Sequence, residues 1–142
     1  MTATLLTCWR ALVERDPAAL AVVDGATGRR WSRAELAAVA EDWSRTVAAG
    51  HDLAGRRVLV AEPNGAQWFH VFLGLLQLGA IPIPADSTEP AAALAEQTRG
   101  LRAAALWHAG ALHPFSGATR HRRHDLCLFK LTSGSTGVPK AL

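Results

Sequence analysis

Near the end of the 142-residue chain four hydroxyl side chains, Thr132, Ser133, Ser135 and Thr136, are interleaved with Gly134 and Gly137 and followed by Lys140. These residue types suit an anion with several oxygens. Glycine reaches positive φ and lets backbone N–H groups approach a phosphate closely. The hydroxyls can donate further hydrogen bonds, and the lysine supplies a point charge. A Walker loop would require a glycine, four residues and then Gly-Lys-Ser/Thr. Counted from Gly134, Pro139 stands at the second glycine and Ala141 follows the lysine, so that motif is excluded. A serine- and glycine-rich linker would share the composition of 132–140 but not its order or its Pro-Lys ending.

A phosphate cradle needs a rigid element to carry it, and Leu126–Leu131 reads as a buried strand opening into the loop. Upstream, Arg57–Ala61, Ile81–Pro84 and Ala103–Trp107 read as further strands, separated by a helical pattern over Ala66–Leu78 and another with Pro90 near its first turn. This alternation predicts an α/β fold: a mostly parallel sheet with flanking helices, to which 126–131 adds a fourth strand. The loop then leaves the carboxyl end of the sheet, where ligands bind in open α/β folds. Pro82 and Pro84 cannot both donate to a ladder, so their strand is expected to be short or irregular. Ser87 or Thr88 is expected to cap the following helix, with Gly100 just past its end. Gly110–Asp125, with the basic run Arg120-His121-Arg122-Arg123-His124, reads as a surface loop.

In the amino-terminal third, a hairpin over 19–31 is expected apart from this sheet or at its edge. Thr4 can cap a helix in which Leu5, Leu6, Trp9, Leu12 and Val13 recur at helical spacing, ended by Asp16-Pro17. Ala19–Val23 and Arg29–Trp31 form the arms of a hairpin around Asp24-Gly25-Ala26-Thr27-Gly28. Ser32-Arg33-Ala34-Glu35 is a capping box opening a helix with Leu36, Val39, Ala40, Trp43 and Val47 on one stripe and Gly50 at its close. The 66–78 helix is apolar on nearly every side and is expected to be covered all round. Cys8 and Cys127 sit in apolar stretches without metal or redox spacing and are expected to be inert core residues.

The nine residues Thr132–Lys140 resemble the phosphate-binding signature of the AMP-forming adenylating enzymes, the group of acyl-CoA and aryl-CoA ligases, luciferases and nonribosomal peptide synthetase adenylation domains. The family usually follows the lysine with glycine, where this chain has Ala141. Trp31-Ser32-Arg33-Ala34-Glu35-Leu36 resembles an earlier element of the family without its usual tyrosine, although a capping box accounts for Ser32 and Glu35 with no ligand. Leu76, Gly79 and Ala80, followed by Pro84 and Asp86, resemble a second one. The chain has no tyrosine, which favours a ligase of the acyl-CoA synthetase type over a peptide synthetase module. The resemblance implies that a carboxylate attacks the α-phosphorus of ATP to give an acyl-adenylate and pyrophosphate, and that a thiol, from coenzyme A or a carrier protein, then displaces AMP. It implies that Thr132, Ser133, Gly134, Ser135, Thr136, Gly137 and Lys140 hold the β- and γ-phosphates of ATP, which comes with magnesium, and that Lys140 assists the step. The family's segments for adenine, ribose, metal and acyl group would follow Leu142. The expectation is therefore 1–142 as the amino-terminal part of an AMP-binding domain, without a second domain, and inactive alone.

Composition bounds the alternatives. With 49% hydrophobic and 19% charged residues the chain is an ordinary globular protein rather than a disordered one. A net charge of +3 suits an anionic ligand but is too small to indicate nucleic acid. The apolar tract 68–85 is interrupted by His70, Gln77, Pro82 and Pro84, so no membrane span is expected, and with no signal-like start the reading is cytoplasmic. The histidines of the basic loop, His113, His121 and His124, lack a metal-ligand spacing, and a solvated charge run explains them. Two other readings stay open: a non-catalytic α/β phosphate-binding or interaction module, and a nucleic-acid-associated protein using the basic loop.

Overall fold

The structure, a computed structural model, describes residues 4–47, 49–121, 127–132 and 140–141. Helix α1 (Leu5–Arg15) starts at Thr4, whose hydroxyl accepts from the Thr7 N–H while Thr7 closes a reciprocal capping box. Strands β1 (Leu20–Val23) and β2 (Arg30–Ser32) pair antiparallel. Ser32 caps α2 (Arg33–Thr46) by accepting from the Glu35 N–H at 3.2 Å, and Glu35 accepts from the Ser32 N–H at 2.7 Å. Hydrogen bonds from the Ser32 N–H first, and from its hydroxyl second, hold the Glu35 carboxyl below its ordinary pKa. The box is the predicted one.

Next come β3 (Arg57–Ala61), α3 (Ala66–Gln77), β4 (Ile81–Pro84), α4 (Ala91–Gly100), β5 (Ala105–His108) and β6 (Ala111–Pro114). The main sheet has the order β4-β3-β5-β6, with β3 parallel to both β4 and β5 and β6 antiparallel to β5. Because side chains alternate along a strand, Val58, Val60, Ala105 and Trp107 share one cluster with Val71 and Leu75 of α3 and Trp43 of α2. Leu59, Ala61 and Leu106 face the other way, against Leu94 of α4. The parallel strands β3, β4 and β5 are thus buried on both faces, as parallel strands of an α/β sheet are. Among the described residues no helix is long and apolar enough to cross a membrane.

The prolines of β4 do not disturb it. The Ile81 N–H donates to Arg56 at 2.8 Å and the Ala85 N–H to Val60 at 2.9 Å, so alternate residues face β3 and the two prolines fall on the outer edge, where no ladder donor is needed. The strand is regular over all four residues. Other expectations are corrected. The cap of α4 is Pro90, with no side-chain hydrogen bond. The Thr88 N–H and hydroxyl donate instead to Asp86 at 2.8 and 2.7 Å, an Asx turn that competes with capping. Residues 111–114, expected as loop, are β6. Cys8 is exposed on α1 and Cys127 half-buried, so neither is a core thiol. The α3 surface is not covered all round either, since Phe69 is 40% exposed.

Helix α3 begins at Gly65, which brings no capping side chain. The hairpin supplies one: Asp24 Oδ2 accepts from the Ala66 N–H at 3.1 Å, while Oδ1 accepts from Ala26 and Thr27 in the turn. The bond from Ala66, together with those from Thr27, holds the Asp24 carboxyl below its ordinary pKa.

Candidate functional site

The hydroxyl- and glycine-rich stretch is entered through residues 127–130, which run beside the outer edge of β4. The Phe129 N–H donates to the Pro82 carbonyl at 3.1 Å, on the side that the prolines leave free. Phe129 and Leu131 pack against the cluster of Leu59, Ile83, Leu94 and Leu106. The Arg57 guanidinium lies 4.8 Å from the Phe129 ring centroid and donates to the Leu101 carbonyl at 2.9 Å. His121 meets the same ring with centroids 5.4 Å apart. Burial and the Arg57 charge push His121 below its ordinary pKa, and burial lowers that of Arg57. The fourth strand expected over 126–131 is thus corrected: residues 127–130 lie along the sheet edge without joining the ladder, and Leu131 pairs outside the main sheet because the edge it reaches offers the backbone of a proline-bearing strand.

Beyond Phe129 the chain forms a two-stranded neck. Strand β7 (Leu131–Thr132) pairs antiparallel with β8 (Lys140–Ala141), in the register Leu131↔Ala141 and Thr132↔Lys140. The first and last residues of the predicted cradle are thereby brought opposite one another. Ser133, Gly134, Ser135, Thr136 and Gly137 lie outside the described residues, as do Val138 and Pro139.

The basic run is only partly the solvated segment that was expected. Arg120 forms an ion pair with Asp52, which also accepts from Arg56 at 3.5 Å, and the His121 N–H donates to the Gly55 carbonyl at 2.6 Å. A Cβ at Gly55, whose φ is +66°, would fall 2.5 Å from the His121 carbonyl oxygen. The docked end of the run thus braces Phe129, a contact that charge counting could not disclose. Arg122, Arg123 and His124 lie outside the described residues.

At the carboxyl end of β3, Glu62 accepts the Trp107 indole N–H at 2.6 Å, satisfying a fully buried ring. The Asp86 carboxyl, after β4, is held below its ordinary pKa by the hydroxyl and N–H of Thr88. Among the described residues no group of three His, Cys, Asp or Glu side chains is placed to hold a metal ion.

The family model described as AMP-binding enzyme matches residues 9–114, most of the chain. The chain belongs to the AMP-binding enzyme family. That match ends before residues 132–140. The fold is also that of several solved structures. The Klebsiella oxytoca NpsA N-terminal subdomain in complex with 3-hydroxybenzoyl-AMSN aligns at a TM-score of 0.77 and 19% identity, over 99% of this chain and 40% of that one. An inhibitor-bound N-terminal domain of FACL13 from Mycobacterium tuberculosis gives 0.78 and 19%, over 99% and 44%. E. coli MenE with bound OSB-AMS gives 0.69 and 22%, over 99% and 34%. The chain thus spans less than half the length of these structures. A search of curated sequences gave no match.

Proposed function

We propose that this chain is the amino-terminal, phosphate-binding part of an ATP-dependent, AMP-forming acid ligase of the acyl-CoA synthetase type, with residues 1–142 forming one part of its AMP-binding domain. The observation that carries the reading is the antiparallel neck pairing Thr132 with Lys140, which closes the family's nine-residue signature on itself beside a parallel sheet. In this reading Thr132, Ser133, Gly134, Ser135, Thr136, Gly137 and Lys140 hold the β- and γ-phosphates. Their donors orient the departing pyrophosphate in line with the attacking carboxylate, and Lys140 offsets the charge that builds there. The catalysis is positioning and electrostatics. Magnesium would enter with the ATP, and the thiol of coenzyme A or a carrier protein would take the acyl group in the second step. The related structures that are two to three times longer support a further expectation, that residues 1–142 alone do not adenylate.

Two measurements test this. The 142-residue chain should give no ATP–pyrophosphate exchange with any carboxylic acid. In a complete AMP-binding chain carrying this segment, Lys140→Ala should lower the adenylation rate more than it weakens ATP binding. Loss of one such donor costs about 3 to 4 kcal/mol of barrier, roughly two to three powers of ten in rate. If Lys140→Ala spares adenylation and slows only thiol transfer, the loop is not a pyrophosphate cradle.

A further inference from the structure

His70 is 4% exposed on α3, and its ring meets Trp31 of β2 edge-on, with centroids 4.7 Å apart and planes at 70°. Its Nδ1 lies 3.3 Å from Gln67 Oε1, an acceptor for an Nδ1–H. Its Nε2 is buried with no partner among the described residues. The Arg29 guanidinium lies 3.6 Å from the centroid of the same Trp31 ring. These surroundings accommodate one neutral tautomer. A second proton would place an N–H where no acceptor stands, and a positive charge near Arg29.

The charged groups on the neighbouring elements offer no relief. Asp24 on the hairpin already accepts from Ala66, Ala26 and Thr27. Glu35 on α2 accepts from Ser32, and α3 itself carries no charged residue. Strand β1 is likewise uncharged.

We propose that the Trp31–His70 contact is a pH-sensitive latch: neutral His70 holds the β1–β2 hairpin on α3, and protonation of His70 releases it. Burial first, and the Arg29 charge second, push His70 below its ordinary pKa, so the docked state prefers the neutral ring. The latch is then at full strength above about pH 6.5, the unperturbed histidine value, and weakens as pH falls through the docked value. The hairpin's other tether, Asp24 on the Ala66 N–H, outlasts it, because that carboxylate is held below about 3.9, its own unperturbed value.

Amide hydrogen exchange on the 142-residue chain, corrected for the intrinsic rate, tests the proposal between about pH 7 and pH 5, on either side of the unperturbed histidine value. One proton is linked to release, so hairpin protection should fall relative to β3 and β5 by up to about tenfold per pH unit. His70→Phe keeps a ring against Trp31 but takes no proton, and should abolish that difference. Hairpin and core amides that lose protection in parallel in the wild type, or a His70→Phe hairpin that still loosens with acid, would overturn the latch. Should His70→Phe fail to fold, the wild-type His70 ring resonances decide. A midpoint below the ordinary value together with shifts in hairpin amides supports the proposal, and an ordinary titration that leaves the hairpin unmoved overturns it.

Discussion

Gly74 shows how a single missing side chain sets the approach of two helices. A Cβ at that position would fall 2.5 Å from Trp43 Cε3 and 3.1 Å from the Ala40 carbonyl oxygen. Trp43 has little room to yield, since its ring stands edge-on to the fully buried Trp107 with centroids 5.3 Å apart. Two effects oppose each other in Gly74→Ala. Helix propensity gains about 1 kcal/mol, whereas overpacking in a close-packed core costs roughly 1 to 3 kcal/mol. The contacts with both ring and backbone put this site toward the costly end, so a net loss of about 1 to 2 kcal/mol is expected in denaturant unfolding. A variant as stable as the parent would show that α2 and α3 can move apart without penalty. Sequence patterning assigned Gly74 only to the interior of an apolar helix, because close approach is a property of two elements that lie far apart in the chain.

The same distinction operates at the scale of elements. Ser32 and Glu35 announce their helix start because both partners lie within one turn, and the Arg57–Ala61 strand is legible because it is apolar on both faces. The β5–β6 hairpin was missed. Its second arm is mostly exposed, so it lacks the apolar alternation that marks a strand. The available signal was the two-residue link Ala109-Gly110, with φ of 51° and 75°, between runs of equal length. Two consecutive positive φ values are the signature of a type I′ turn, for which Asn-Gly is the favoured pair. An alanine there is strained, so Ala109→Asn should raise stability by about 0.5 to 1 kcal/mol, part of the cost of a left-handed residue. Thermal unfolding measures it, and a lower midpoint would mean that Ala109 carries no such strain. The regularity of β4 was equally invisible, because which edge its prolines face depends on where β3 lies. In the candidate site, the order of residues in 132–140 was legible, but the neck is a pairing across a loop, and the bracing of Phe129 by Arg57 and His121 links segments distant in sequence.

At the scale of the whole molecule, the layers close over the two faces of the sheet but leave an aromatic surface on α3. Phe69 is 40% exposed, its ring meets Trp68 with centroids 5.5 Å apart, and Trp68 stacks on Phe72 at 5.0 Å. Three adjoining aromatic rings, partly open to water, form the kind of patch through which proteins associate. The 142-residue chain is therefore expected to self-associate, with Phe69 as the accessible anchor. Phe69→Gln should shift it toward monomer while costing little stability, since the side chain is already well exposed in the folded chain. Truncating an interface anchor weakens association by about 1.4 kcal/mol or more, a tenfold or greater rise in the dissociation constant. Sedimentation velocity across a concentration series measures that rise, and unfolding of the same variant controls for stability. A wild-type chain that stays monomeric throughout the series, or a Phe69→Gln chain that associates as before, would place the association elsewhere or remove it. The α3 aromatic surface would then be an ordinary solvent-exposed cluster.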